Sequence, residues 1–184
     1  MFLFQPIQVG SLELKNRVIM PALHHNYSPE GLVNEKLIRY YETRARGGVA
    51  LIIVGGCSID LAGGGPLMIG LHDDKYIPGL QQLTGAVKEA GAKIAAQLYQ
   101  AGRYAHRDFT EEEPVAPSAI ASRLTRAKPR EMTLSDIEKV IESFAAGALR
   151  AKNAGFDAVE VIASAGYLIC QFFSPVTNQR EDAY

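Results

Sequence analysis

Residues 158–184 read Ala-Val-Glu-Val-Ile-Ala-Ser-Ala-Gly-Tyr-Leu-Ile-Cys-Gln-Phe-Phe-Ser-Pro-Val-Thr-Asn-Gln-Arg-Glu-Asp-Ala-Tyr, and this stretch decides the fold. Residues 158–162 are a short, β-branched run, the pattern of a buried strand. Gly155 stands just before it and stops a long helical pattern. Small residues follow the strand, and then comes Tyr167, a side chain with a usable proton and reach. A helix, a glycine stop, a buried strand and a polar loop make one unit of a parallel α/β protein. In such folds chemistry sits in the loops after the strands' carboxyl ends, and Tyr167 falls in such a loop.

The same device recurs upstream. Ala45-Arg46-Gly47-Gly48-Val49-Ala50-Leu51-Ile52 and Ala90-Gly91-Ala92-Lys93-Ile94-Ala95 echo Ala154-Gly155-Phe156-Asp157-Ala158-Val159. Each is a helix end, a glycine and a buried strand, so the echoes predict consecutive βα units. The pattern places strands at 18–20, 49–54, 93–98 and 158–162. Helices are expected from an Asn34 cap to about Arg46, through Leu80, Leu83, Val87 and Ala90 to Gly91, and from Thr133 to about Gly155. Thr133 with Asp136 has capping-box spacing. Ile137, Val140, Ile141, Phe144 and Ala148 draw one apolar stripe. At the start, residues 4–9 and 11–14 flank Gly10 as a hairpin, a lid on one end of the domain.

The connections are unequal. Helix-to-strand links are a few residues long, whereas strand-to-helix links such as 55–74 and 99–132 are far longer. Long loops in a compact domain are usually functional. One end of the strands is therefore structural and the other carries the site. Four such strands make half of an eight-stranded (β/α)8 barrel, the TIM barrel, which needs about 250 residues. A doubly wound sheet is the alternative, but no G-x-G-x-x-G follows strand one and no Walker lysine occurs. The expected fold is α/β: the first four strands of a TIM barrel preceded by a hairpin. The whole of 1–184 is expected to be one half-barrel unit, a fragment of a longer protein.

Composition narrows the function classes. The chain has 184 residues, 47% hydrophobic and 21% charged, with net charge −1. These are the proportions of an ordinary soluble domain. The charge argues against nucleic acid or an anionic membrane as partner. No apolar run reaches membrane-spanning length and residues 1–4 lack a signal-peptide pattern. Cys57 and Cys170 form no C-x-x-C pair and read as small apolar residues, which fits a reducing, cytoplasmic compartment. His24, His25, His72 and His106 lack metal-ligand spacing and read as surface or loop residues, so no metal site is expected. Glu111, Glu112 and Glu113 read as a charged surface turn, and the glycines at 63–65 as a mobile loop.

Several blocks carry a resemblance. Leu14-Lys15-Asn16-Arg17-Val18-Ile19-Met20-Pro21 resembles the opening of the old yellow enzyme family of flavin-dependent oxidoreductases. So do Ala96-Gln97-Leu98-Tyr99-Gln100-Ala101-Gly102-Arg103, Val115-Ala116-Pro117-Ser118-Ala119-Ile120, Gly166-Tyr167-Leu168-Ile169, Gln171-Phe172-Phe173-Ser174-Pro175 and Asn178-Gln179-Arg180. The blocks span nearly the whole chain in the family's order. Within the family the chain is most similar to 2,4-dienoyl-CoA reductase and NADH:flavin oxidoreductase relatives. Those are long proteins with an FMN barrel, an iron–sulfur site, and FAD and pyridine-nucleotide domains. One feature departs from the wider family: where most members carry a His pair, or His and Asn, to hold a substrate carbonyl, this chain has Ile162 and Ala165. The dienoyl-CoA reductases also lack the pair and keep the tyrosine.

The resemblance implies roles for individual residues, and each has a plainer alternative. Pro21, Ala22, Leu23 and His24 match the loop that lines the flavin; alternatively Pro21 merely ends a strand. Gly55 matches a flavin contact where a missing Cβ lets a ring approach; alternatively it is a turn glycine. Gln97 is an amide inside an apolar strand, costly to bury unpaired. The family pairs it with the flavin's pyrimidine edge, and the alternative is a bond to backbone. Tyr167 matches the proton donor to the reduced carbon chain, protonated near neutrality with a reference pKa of about 10; alternatively it is a packing residue. Arg103 and Tyr104 read as contacts to substrate or phosphate, or equally as residues of a solvated loop.

The implied activity is an FMN-dependent ene-reductase. It would reduce a conjugated C=C bond of a small, unsaturated, CoA-linked substrate with electrons from NAD(P)H. The competing expectation is a non-catalytic half-barrel whose edge strands and apolar helix faces self-associate or bind a partner. Homo-oligomerisation is compatible with either.

Overall fold

The structure is a computed structural model and describes residues 1–105, 107–110 and 112–184. His106 and Glu111, read above as a loop histidine and part of a charged turn, lie outside the described residues.

A β-hairpin opens the chain, with β1 (Ile7–Val9) antiparallel to β2 (Leu12–Leu14) around Gly10, whose φ of 58° favours glycine. Four strands then build a parallel sheet: β3 (Ile19–Met20), β4 (Leu51–Ser58), β6 (Lys93–Tyr99) and β9 (Ala158–Val161), side by side in that order. A short fifth strand, β5 (Ile69–Gly70), pairs with the end of β4. Three helices cross between them: α1 (Glu35–Arg46), α2 (Ile77–Glu89) and α4 (Leu134–Asn153). The βα order is the expected one. The sheet is open, with β3 and β9 as its edges.

Two corrections concern the connections. The second core strand does not end at Val54 but runs through Gly55 and Gly56 to Ser58. Segment 99–132 is not wholly irregular: it holds a one-turn α3 (Arg107–Thr110) and a parallel pair, β7 (Val115–Ala116) with β8 (Arg130–Glu131). Strand pairs of two residues carry no readable period, so tertiary contact alone creates them.

Alternation along the strands separates two packed layers. Ile52, Val54, Ile94, Ala96 and Leu98 face the helices, where they meet Leu37, Tyr41, Leu80, Leu83 and Val87 in the main core. Burying each of the leucines contributes roughly 1.5–3 kcal/mol. Leu51 and Ala95 face the other way and are covered by Leu14, with Ile7 and Leu12 beside it, so the hairpin plugs the amino-terminal end of this inner face. Above the plug, Ile19, which pairs with Leu51 on this inner face, is 45% exposed, whereas Val161, which pairs with Leu98 on the helix face, is 50% exposed. The apolar stripe of α4 is also only partly used. Ile137 is buried and Phe144 and Ala148 pack on the main core, but Ile141 stays 54% exposed.

The amino-terminal end is fastened by a repeated clamp. Gly48, Gly91 and Gly155 all take left-handed φ, at 96°, 85° and 85°, which a side chain would strain. At each turn a side chain satisfies an orphan carbonyl. Asn16 Nδ2 donates to Gly48 O at 2.8 Å, Lys15 Nζ to Gly91 O at 2.6 Å, and Thr84 Oγ1 to Ala154 O at 2.7 Å. Thus Lys15 and Asn16 act as staples from the end of the hairpin to the helix-to-strand turns. The helix starts are as expected. Asn34 Oδ1 accepts from Leu37 N at 3.0 Å, and Thr133 and Asp136 close a reciprocal capping box.

Candidate functional site

The inner face of the sheet opens at the strands' carboxyl ends, and the sequence-derived residues gather there. Met20 pairs with Ile52, which carries the loop Pro21-Ala22-Leu23-His24 across the upper half of β4. A Cβ on Gly55 would overlap the Ala22 methyl and lie 2.9 Å from its Cα and 3.1 Å from Leu23 N. Gly55 is therefore required by this chain's own backbone crossing, whatever else approaches it. It is part of a strand and not a turn glycine.

Gln97 sits opposite that crossing. Val54 pairs with Ala96 and Cys57 with Leu98, so Gly55 and Gly56 together face the single residue Gln97 in a β-bulge. On its other side Gln97 pairs with Glu160, and Gln97 Nε2 donates to Glu160 Oε1 at 2.6 Å. Among the described residues this is the one hydrogen bond of the Gln97 side chain. Its carbonyl oxygen and second N–H remain available on the inner face.

Two residues further along β6, on the same face, stands Tyr99. Its ring meets Tyr167 with centroids 4.5 Å apart at 68°. A Cβ on Gly56 would lie 3.1 Å from Tyr99 Cβ and Cγ, so the bulge also makes room for this ring. Burial, followed by the neighbouring Tyr167 phenol, pushes Tyr99 above the ordinary phenol range. Tyr104 reaches Tyr167 from the far side, with centroids 6.2 Å apart. Ala22, Gly55, Gln97, Tyr99 and Tyr167 thus form one contiguous rim. Leu23 is 55% exposed at its edge, and beside it His24 Nε2 lies 3.1 Å from Pro66 O. Burial lowers the His24 pKa.

Tyr167 is the N-cap of a short helix, α5 (Leu168–Phe173), where the sequence pattern predicts only a polar loop. A buried amide network fixes that helix. Gln171 Nε2 donates to Ala101 O at 3.1 Å and Gly166 O at 2.7 Å, and its Oε1 accepts from Arg103 N at 3.1 Å. Gln100 extends the network: its Oε1 accepts from Gly102 N at 2.5 Å and its Nε2 donates to Asp60 Oδ2 at 3.3 Å. Asp60 Oδ1 accepts from Gly63 N at 2.6 Å, and Ala101 N donates to Gly63 O at 3.0 Å. The glycine loop is therefore anchored at Gly63. Burial raises the Asp60 pKa. One chain of polar groups ties together the loops after β4, β6 and β9, and it carries Tyr167. Sequence reasoning singled out Gln97 as an amide among apolar residues. The same signal was present at Gln100 and Gln171.

The other motif blocks are structural. Arg180 Nη1 donates to Pro117 O at 3.0 Å and Met132 O at 2.5 Å, and Gln179 N donates to Ser118 Oγ at 2.9 Å. The segment 178–180 thereby fastens the segment 115–118. His25 lies in the loop after β3, as expected, and packs among Tyr27, Tyr40 and Tyr41, 4.0 Å from the Tyr40 ring centre. His72 is half-buried and its Nε2 lies 3.1 Å from Tyr76 Oη. Cys57 is a free, buried thiol that burial pushes up to about 12. Ala165 takes φ 57°, a left-handed conformation that Asn or Gly holds more easily. No helix of the described residues is long and apolar enough to cross a membrane.

Comparison with known proteins bears on this rim. A family model described as "NADH:flavin oxidoreductase / NADH oxidase family" matches residues 2–184. A metal reductase of Desulforamulus reducens is 56% identical over 99% of this chain, which covers 27% of that protein. An NADPH dehydrogenase of Geobacillus thermodenitrificans is 42% identical over 99% of this chain, which covers 54% of that protein. The solved structure of 2-naphthoyl-CoA reductase with 2-naphthoyl-CoA superposes with TM-score 0.93 at 34% identity, covering 98% of this chain and 30% of that one. The chain therefore spans between about a quarter and about a half of the length of these relatives.

Proposed function

The chain belongs to the NADH:flavin oxidoreductase family, and from that premise we propose that it forms the first half of an FMN-binding barrel in an ene-reductase. The substrate class is a small molecule with a conjugated C=C bond, carried on coenzyme A, and NAD(P)H is the electron source. The supporting observation is that Ala22, Gly55, Gln97 and Tyr167 share one rim at the carboxyl ends of a parallel sheet. The similarity to a CoA-thioester reductase, and the large part of that relative lying outside the match, favour the long 2,4-dienoyl-CoA reductase subgroup. Iron–sulfur, FAD and pyridine-nucleotide sites would then belong to segments outside these 184 residues.

The rim's chemistry fits a flavin. Its floor is a methyl at Ala22 and no side chain at Gly55, leaving a flat surface for a ring. Gln97 offers an acceptor and a donor at one edge while Glu160 holds the amide in place. Pro21, Leu23 and His24 border the floor, with His24 anchored on Pro66 O. When bound, FMN supplies a hydride to one end of a conjugated bond. Tyr167 holds its phenolic proton at Oη for the other end, steadied by Tyr99 and Tyr104. Ile162 and Ala165 offer no side-chain hydrogen bond to a carbonyl, so substrate polarisation must come from elsewhere.

In barrels of this kind the cofactor phosphate is held after strands seven and eight. The 184-residue chain by itself is therefore expected to bind FMN more weakly than about 1 μM. The decisive assay uses a protein that joins this chain to a second half-barrel. That protein should retain FMN and oxidise NAD(P)H faster when an enoyl- or dienoyl-CoA is added. A flavin-free protein, or one indifferent to unsaturated substrates, would overturn the assignment.

The edges of the sheet favour a second reading. Val159 and Val161 on β9 are exposed, as are Val18 and Ile19 at β3. A free-standing half-barrel would cover them by pairing with another copy. Light scattering of the isolated chain separates the readings, since a stable monomer counts against the module.

A further inference from the structure

A cavity of about 530 Å³ lies on the outer side of Tyr104, lined by Arg103, Tyr104, Ile120, Arg123, Leu124 and Val176. Arg103 is half-buried, its Nε is shielded from solvent, and its guanidinium has no hydrogen bond or ion pair among the described residues. An uncompensated, partly buried cation is costly, and an anion relieves that cost. Arg123, in the same lining, also makes no ion pair among the described residues.

The turn that presents Arg123 is built, not loose. Ser122 is buried and its Oγ accepts from Leu124 N at 3.1 Å and Thr125 N at 3.3 Å, while Arg126 N donates to Ser122 O at 2.8 Å. Thr125 Oγ1 donates to Arg103 O at 3.4 Å, which ties the turn to the Arg103 segment. Arg126 adopts φ 59°, and neither it nor Lys128 makes an ion pair among the described residues. In a chain of net charge −1, two cations without an ion pair among the described residues, Arg103 and Arg123, thus line one cavity. Ile120, Leu124 and Val176 supply apolar wall beside them, and Leu124 is 77% exposed.

We propose that the Arg103–Arg123 cavity binds the phosphate-bearing nucleotide tail of a molecule whose reactive end lies at Tyr167. Tyr104 connects the two places, lying against Arg103 on one side and Tyr167 on the other. Two guanidiniums with apolar wall suit phosphate oxygens and an adenine ring. The anion site stands on its own geometry, whereas the reactive end at Tyr167 rests on the ene-reductase reading. Both coenzyme A and NADPH carry such a tail.

The test is equilibrium titration of the chain with coenzyme A, NADPH and inorganic phosphate, beside Arg103→Gln, Arg103→Lys and Arg123→Glu variants whose folding is checked by circular dichroism. At least one of the two nucleotides should bind, more tightly than phosphate, and weaken with added salt. Arg123→Glu and Arg103→Gln should each weaken it about tenfold or more, with Arg103→Lys intermediate. Binding of coenzyme A alone assigns the site to the thioester substrate, and binding of NADPH alone to the reductant. No binding of either, or binding unchanged in the folded variants, overturns the proposal. No flavin or turnover enters this measurement, so it can fail while the ene-reductase reading stands, and the converse.

Discussion

Tyr99 and Tyr167 meet edge to face, 4.5 Å between ring centres, although they come from strand β6 and the cap of helix α5. Their contact joins the two halves of the rim: the strand that carries Gln97 and the loop that carries the candidate proton donor. Replacing Tyr167 by Phe keeps the ring contact and removes the proton. In the flavin-loaded enzyme, turnover of an unsaturated substrate should fall about a hundredfold or more, with flavin content unchanged. Steady-state kinetics and flavin absorbance check this. Undiminished turnover would remove Tyr167 from the chemistry.

Gly55 and Gly85 should respond oppositely to alanine. At Gly55 the new methyl meets Ala22 and the Leu23 backbone, neither of which is the far end of a flexible side chain. Gly55→Ala should lose about 1–3 kcal/mol of stability. Gly85 lies inside α2 with nothing within 4 Å of a Cβ, and Gly85→Ala should gain about 0.5–1 kcal/mol. Urea midpoints of the two variants decide the matter.

Gln171→Met preserves volume but leaves Ala101 O, Gly166 O and Arg103 N without their partner in a buried setting. The expected loss is about 2–3 kcal/mol. Because Gly166 precedes Tyr167, hydrogen exchange at residues 164–168 should accelerate more than exchange in α1. Uniform acceleration across the chain would show that the network stabilises the fold without specifically holding the rim.

Stability should fall at both ends of the pH scale for opposite reasons. The Arg130 hydrogen bond, aided by Thr133, holds Asp136 well below the ordinary carboxylate range. Its contribution is present above the unfolded value of about 3.9 and is lost as pH falls below it. Asp136→Asn should therefore flatten the acid side of the stability profile. Tyr41 and Tyr99 are both raised by burial. Their neutral forms favour the folded state below the unfolded value of about 10, and that contribution is lost as pH rises past it. Ultraviolet titration should find two phenols that ionise later than the rest, and a variant carrying Tyr99→Phe should lose one of them.

The helices and the parallel βα order were legible because their causes are local. A cap at Asn34, a capping box at Thr133 and Asp136, and a glycine before each of β4, β6 and β9 act within a few residues. The bulge was not legible. Gly55-Gly56 looked like the end of a strand because glycine pairs usually stop one. Here the partner strand contributes Gln97 alone against both, and only pairing reveals the extra residue. The histidines at 24 and 25 looked alike in sequence, yet one is anchored on Pro66 O and the other is packed among three tyrosines. Burial of that kind depends on what the fold brings from afar.

The sequence by itself determined which segments form strands and helices, the direction in which they run, and that the long loops stand at the strands' carboxyl ends. Those properties follow from periodicity, caps and left-handed turns, each of which acts over a handful of residues. Only the tertiary structure decided that Ala22, Gly55, Gln97, Tyr99 and Tyr167 share one rim. It alone decided that Gln100 and Gln171 bind the rim's loops into one unit, and that Arg103 faces a cavity with no counter-charge among the described residues. Those depend on contacts between residues tens of positions apart, which no local pattern encodes.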